Sequence, residues 1–262
     1  MFLPAKLKSS SILAGLIALV TLYLAGCGTN PTLTKEQIDE LKSQGFKLFQ
    51  EEKYKQAIPI AQKAVQAAEK AYPKDSPDLA DLYAGLARTL QGDKRYADAI
   101  ASFEKAIAIY RTLPDKKREL ARTLNFFGVC LAEYGKDDQA LKVMFESVAT
   151  YAEAGLDSSV ECLSAVTTLS AVAIKNKKYK EAEDVMQIAL KVCRSEPDVP
   201  PGIYANVLNN IGEVNYLRQD YDTALKYYQE AFDMAEKKMS SRPEVVAVYR
   251  KNVENAKGKL QK

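Results

Sequence analysis

One register runs through most of the chain. Aligned on Gly45, Ala87, Gly128, Ser170 and Gly212, the sequence resembles itself at steps of 42, 41, 42 and 42 residues. Twelve residues after each of these stands an alanine, at Ala57, Ala99, Ala140, Ala182 and Ala224. Seven further on comes another small residue: Ala64, Ala106, Ser147, Ala189 and Ala231. Four of the five copies carry a tyrosine three residues before the first alanine, as Tyr54, Tyr96, Tyr179 and Tyr221; the third has Asp137. Self-similarity of this period marks a stacked-repeat architecture, in which a unit buries its apolar face only against its neighbours. The small positions have a steric reading. Antiparallel helices approach to about 8–10 Å only where neither presents a bulky side chain at the crossing. The slots at Gly45 and Ala57 are expected to meet across a helix pair, as are Gly212 and Ala224. In the second copy Leu86, Leu90, Ile100 and Phe103 fill the adjoining space.

Each copy reads as two helices with a turn between. In the fifth, the first helix is expected over about Tyr204–Arg218 and the second over about Tyr221–Lys237, with the turn at Gln219-Asp220. Equivalent turns fall at Gly92-Asp93, Gly135-Lys136 and Asn176-Lys177. Thr34 with Gln37, Ser158 with Glu161 and Ser241 with Glu244 have capping-box spacing. Pro77 and Pro243 suit a first helical turn, where the missing donor would be unpaired anyway; Pro59 is expected to survive in the first turn of its helix. After the fifth copy, Pro243 and Ala247 repeat the phase of Pro201 and Ala205 for half a unit. Glu254 takes the small slot there, and Arg250, Lys251 and Lys257 keep the helix wet, as the end of an exposed core requires. The fold class expected is all-α: a right-handed superhelical solenoid of five helix-turn-helix units plus a C-terminal capping helix. The units span about 35–75, 76–115, 116–157, 158–199 and 200–240, with the cap over 241–262.

The pattern resembles the tetratricopeptide repeat, specifically its longer kinesin-light-chain type. The fifth copy carries the resemblance best, with A-N-V-L-N-N-I-G-E-V-N-Y from Ala205 and Y-D-T-A-L-K-Y-Y-Q-E-A from Tyr221. Ser76-Pro77-Asp78-Leu79-Ala80 is similar to the family's H-P-D-x-A linker, with Ser76 in place of the usual histidine, and Pro59 matches a proline common in the second helices. The resemblance covers roughly residues 35–255. It implies a peptide-binding inner wall, and in this type the first helices commonly carry Asn-Asn. Only Asn209-Asn210 reproduces that pair. The third copy has Asn125-Phe126, the fourth Thr167-Thr168, the second Ala84-Gly85 and the first Lys42-Ser43.

The N-terminus has a different character. Lys6 and Lys8 open it, Ile12 to Tyr23 is almost wholly apolar, and Leu24-Ala25-Gly26-Cys27 closes it, the layout of a cleavable export signal. The closing tetrad resembles the bacterial lipoprotein box, which implies acylation of Cys27 on sulfur with palmitate-type chains, Cys27 becoming the new N-terminus after cleavage. The apolar stretch is shorter than the roughly 20 residues of a spanning helix. The expected bounds are a lipoprotein signal over 1–26, an acylated Cys27 with a short linker over 27–34, and the repeat domain over 35–262. Gly28 follows the cysteine, where some lipoproteins retained in an inner membrane have aspartate. The expected location is therefore the cell envelope, lipid-anchored, with the outer membrane favoured in an organism that has two.

Composition narrows the chemistry. The chain has no histidine, which removes Ser-His-Asp and Cys-His catalysis and His-ligated zinc. Cys130, Cys162 and Cys193 are widely spaced within apolar helical patterns and read as small buried hydrophobes. The 12 glycines are scattered singly, so no phosphate loop appears. A formal net charge of +3, near +1 once Lys6 and Lys8 are removed, gives no basic field for nucleic acid. No metal, cofactor or catalytic set is expected, and the chain is read as no enzyme.

On the inner wall the fifth copy presents Asn206, Asn209, Asn210, Glu213 and Tyr216. The third presents Arg122, Asn125, Phe126 and Val129. The second presents Asp81, Arg88 and, at its edge, Tyr83; the first presents Lys42, Phe46 and Phe49. Asparagine both donates and accepts and can clamp an extended backbone, and arginine forks a carboxylate. The tyrosines Tyr54, Tyr96, Tyr179 and Tyr221 read as packing residues. The expected function is a membrane-anchored, non-catalytic scaffold that holds a protein or peptide partner, an envelope or secretion assembly factor. It would act as a monomer or within a hetero-complex. Two alternatives stand beside it: a self-assembling envelope component, and a cell-wall glycan-acting protein using Glu213 beside Arg88 or Lys175.

Overall fold

The structure, a computed structural model, describes residues 33–261. The export signal and Cys27 lie outside the described residues. Among those residues there are eleven α-helices, one 3-10 turn at Pro114–Lys116, and no strand. They pair as α1 (Lys35–Gln50) with α2 (Tyr54–Ala71), α3 (Pro77–Gly92) with α4 (Tyr96–Arg111), and α5 (Lys117–Glu133) with α6 (Asp137–Glu153). Then follow α7 (Val160–Lys175) with α8 (Tyr179–Ser195), α9 (Pro201–Leu217) with α10 (Tyr221–Lys238), and the unpaired α11 (Pro243–Leu260). Each helix packs on the next. From α1 to α9, each odd-numbered helix also touches the following odd-numbered one. The first helices of the units therefore form one continuous wall.

The small slots are buried in every copy. Ala57, Ala64, Ala87, Ala99, Ala106, Ala140, Ala182, Ala224 and Ala231 expose nothing to solvent. Gly45, Gly128 and Gly212 lie inside too. The Gly45 slot faces Ile60 and Ala61 and not Ala57, whereas the Gly128 slot does approach its facing alanine, a Cβ there lying 3.3 Å from the Ala140 carbonyl oxygen. A Cβ on Gly212 would lie 2.6 Å from Tyr228 Cδ1, one on Gly128 would lie 2.5 Å from Met144 Cγ, and one on Gly45 would face Ile60 at 3.7 Å. The Gly128 and Gly212 slots are the seats of a side chain one turn beyond the facing alanine. Phe103, Met144, Met186 and Tyr228 hold that register and are fully buried. Burying such a side chain is worth about 1.5–3 kcal/mol, so the glycine or alanine opposite is what admits the stabilising group. Where the slot is serine the hydroxyl is bonded: Ser147 Oγ donates to the Ala121 carbonyl at 2.7 Å, and Ser170 Oγ donates to that of Thr167 at 3.0 Å.

The five turns inside the units share a geometry that composition does not announce. Glu52, Lys94, Gly135, Lys177 and Gln219 all have φ between 55° and 84°. The amide after each bonds back to the helix, as Arg95 N to Leu90 O at 2.8 Å and Asp220 N to Asn215 O at 2.9 Å. This is the Schellman closure, which satisfies carbonyls a helix end leaves open.

Helix starts agree with expectation at Thr34, where both bonds of the capping box form. Elsewhere they differ. The cap of α7 is Ser159, not Ser158, and its side chain accepts from Cys162 N. The cap of α11 is Arg242, with no side-chain bond, because Pro243 already supplies the fixed φ of a first helical residue. α9 begins at Pro201 for the same reason, three residues before the expected start. Pro59 lies inside α2, beyond its first turn. It and Lys55, whose carbonyl loses a donor there, are on the exposed face.

The cap buries Val246, Tyr249, Val253 and Ala256 while Glu254 stays exposed. No described helix is long and apolar enough to cross a membrane.

Candidate binding groove

The wall of first helices is not uniform along its length. Its N-terminal part, between α1, α3 and α5, borders a solvent-open cavity of about 550 Å³. Phe46 and Phe49 enter it from α1, Gly85 and Arg88 from α3, Arg122 and Phe126 from α5. Positions three or four apart share a helix face, which is how Phe46 and Phe49, Gly85 and Arg88, or Arg122 and Phe126 reach the same space. The Arg88 guanidinium lies over two rings, 4.9 Å from the centre of Phe49 and 4.3 Å from that of Phe126. Burial, followed by the nearby Arg122 charge, shifts its pKa down.

Seven of the nine arginines pair with carboxylates: Arg95, Arg111, Arg118, Arg194, Arg218, Arg242 and Arg250. Among the described residues the other two, Arg88 and Arg122, form no ion pair. Both face the cavity. Asp81 in the lining is occupied: Tyr110 donates its hydroxyl to Oδ1 at 2.5 Å, and Lys42 Nζ lies 3.4 Å from Oδ2. That hydrogen bond comes second to burial in raising the Tyr110 pKa.

The C-terminal part of the wall is closed on itself. Tyr249 donates to Asn206 Oδ1 and Asn252 to Asn209 Oδ1, each at 2.8 Å. Asn210 Nδ2 donates to Ser170 Oγ at 2.9 Å and to the Thr167 carbonyl at 3.3 Å. Glu213 accepts from Tyr228 at 2.8 Å, and Tyr216 packs on Tyr221 and Tyr228. These polar groups link neighbouring first helices or the two helices of a pair.

Of the residues read from the sequence as lining the wall, Arg88, Arg122 and Phe126 come together in the cavity with Lys42, Phe46, Phe49 and Asp81. Asn206, Asn209, Asn210, Glu213 and Tyr216 form a separate, bonded set. Asn125 does not line the cavity; its Oδ1 is sealed from solvent and accepts no hydrogen bond. Tyr83 is buried and donates to Glu69 on α2, so it does not edge the wall. Glu213 and its phenol partner offer no paired acids, and no described group of three or more His, Cys, Asp or Glu could hold a metal. The residue missed from the sequence is Gly85. The small pair Ala84-Gly85 was the available signal, standing where another copy has Asn-Asn. Cys130, Cys162 and Cys193 are free and buried, and burial is the largest cause pushing each thiol up to about 11.

The family model described as tetratricopeptide repeat matches residues 44–112, 86–153 and 162–237. No curated protein matches the sequence. Among solved structures, the apo form of RapI is similar with a TM-score of 0.71 at 16% identity, over 84% of this chain and 81% of that one. BtubC (BKLC) from P. vanneervenii is similar at 0.67 and 18% identity, over 76% and 80%. A putative kinesin light chain from Podosopora anserina with nearly identical TPR-like repeats is similar at 0.67 and 14%, over 77% and 96%. At these identities the likeness is one of fold. The matched repeats span well over half of the sequence, and the chain belongs to the tetratricopeptide-repeat family.

Proposed function

We propose that the protein is a non-catalytic scaffold, tethered to a membrane surface through lipid on Cys27, that holds a protein or peptide partner in the groove of its first helices. The observation that carries the reading is the cavity of about 550 Å³ on that wall, with two arginines that have no internal counter-charge among the described residues. Repeat solenoids present extended concave surfaces of this kind to partners. Tethering would confine the groove near membrane-bound partners and raise their effective concentration without any new contact. The tetrad Leu24-Ala25-Gly26-Cys27 motivates the anchor, and Gly28 after it favours the outer membrane where there are two.

Two measurements test the two halves. Labelling cells with radioactive palmitate is expected to mark the protein and to leave a Cys27→Ser variant unmarked; an unlabelled wild type removes the anchor. Pull-down from membranes is expected to retain a partner with wild type and to lose it when groove residues Arg122 and Phe126 are both changed to Ala. A partner retained equally by both removes the groove.

A further inference from the structure

Three features coincide between α1, α3 and α5. The first is charge without a counter-charge: Arg88 and Arg122 form no ion pair among the described residues, although every other arginine does. Partly burying the Arg88 guanidinium beside a second positive charge costs energy; the two rings attract it, and an incoming anion would add the missing counter-charge. The second is an open floor. A Cβ added to Gly85 would meet nothing within 4 Å, so the floor is open there even to the alanine that would favour the helix. The third is unspent apolar surface: Phe46 is 54% exposed, and the half-buried Phe49, Leu41 and Ala61 continue it around the floor.

Resting on the groove reading above, we propose that this cavity receives an acidic–apolar pair of side chains from a partner peptide. An Asp or Glu carboxylate meets Arg88 and Arg122, and a neighbouring aliphatic or aromatic side chain seats over Gly85 against Phe46 and Phe49. A carboxylate suits the site because the parallel N–H groups along a guanidinium edge match two oxygens, and among the described residues no carboxylate pairs with Arg88 or Arg122. A phosphate would call for further donors, such as the free amides of a helix N-terminus. Gly85, Arg88, Arg122 and Phe126 instead lie inside their helices, where the amides are already bonded. The acid comes from a side chain and not a chain end, because the wall runs on from α5 to α7 and α9 and lets the peptide continue. The lining carboxylates set its direction. Asp81 is held by Tyr110 and Lys42, and exposed Asp39 on α1 repels a second acid. The acidic residue therefore points to the α5 side and the apolar one to the α1 side.

The test is panning of a phage-displayed library of random dodecapeptides on the full chain in detergent, followed by polarisation binding of the enriched peptides made as C-terminal amides. Asp or Glu beside Leu, Ile or Phe is expected to be enriched. Replacing the acid by its amide, Arg122→Glu, or Gly85→Leu should each weaken binding about tenfold or more. Arg122 is exposed and Gly85 faces open space, so both variants are expected to keep the wild-type helical circular dichroism. Asn209→Ala, far along the wall, should leave affinity unchanged. Enriched peptides without an acid, or binding indifferent to both variants, would overturn this assignment and leave the groove reading standing. A chain that enriches no peptide would overturn both.

Discussion

Gly85 and Gly212 are both helix-interior glycines, and one methyl group would act on them in opposite ways. At Gly85 the added Cβ meets nothing, so Gly85→Ala is expected to raise stability by about 1 kcal/mol through helix propensity alone. At Gly212 it would lie 2.6 Å from a Tyr228 ring that is fully buried and bonded to Glu213. Gly212→Ala is expected to destabilise by about 1–3 kcal/mol, the cost of overpacking. Thermal melts of the two variants check both signs. Only Gly212 was marked by the sequence, through the repeat phase; Gly85 was passed over as part of a gap in the asparagine ladder. The ladder itself was misleading for a physical reason. An asparagine amide bonds equally well to a ligand or to the next helix, and the partners Tyr249 and Asn252 lie on the cap, 43 residues away in each case. The cysteines were legible from their apolar surroundings. With their thiols pushed up to about 11 by burial, Cys130, Cys162 and Cys193 are expected to resist alkylation at pH 8 in the folded chain and to react in denaturant. Mass spectrometry of iodoacetamide-treated protein reads the difference.

At the scale of elements, periodicity set the helices and local chemistry set their ends. The spacing of apolar and small residues identified the pairs because a helix pair cannot close without its slots. The ends were harder. Ser158 and Ser159 compete for one cap, and Ser241 yields to the proline that follows Arg242. The left-handed residue of each inner turn was invisible because four of the five are not glycine. A residue with a Cβ pays roughly 1–2 kcal/mol in that conformation. Lys94→Gly is therefore expected to raise the melting temperature, and Lys94→Val to lower it, both read by thermal denaturation followed at a helical wavelength. No change in either direction would mean that the turn relaxes out of the left-handed region in solution.

Across the whole molecule, the packing within and between the units includes buried tyrosines. Burial, then the Glu69 hydrogen bond, pushes the Tyr83 phenol up to about 12, and burial pushes Tyr151 to about 12. Tyr110 and Tyr228 shift up as well, each buried and bonded to a carboxylate. The folded chain keeps these phenols protonated where unfolded ones, near 10, have ionised. Their contribution to stability is thus complete below about pH 10 and falls as pH rises from there toward 12. Melting temperatures at pH 9 and pH 11, with phenolate absorbance followed alongside, are expected to show a joint drop and ionisation.

The asymmetry of the inner wall, bonded at its C-terminal end and open at its N-terminal end, underlies the functional account. A photoreactive phenylalanine placed at Phe46, on the open part of the wall, tests it in living cells against the same group at Ile188, exposed on the second helix of the fourth pair. The account predicts a discrete crosslinked partner from Phe46 and none from Ile188. Adducts of equal yield at both positions, or at Ile188 alone, would contradict it.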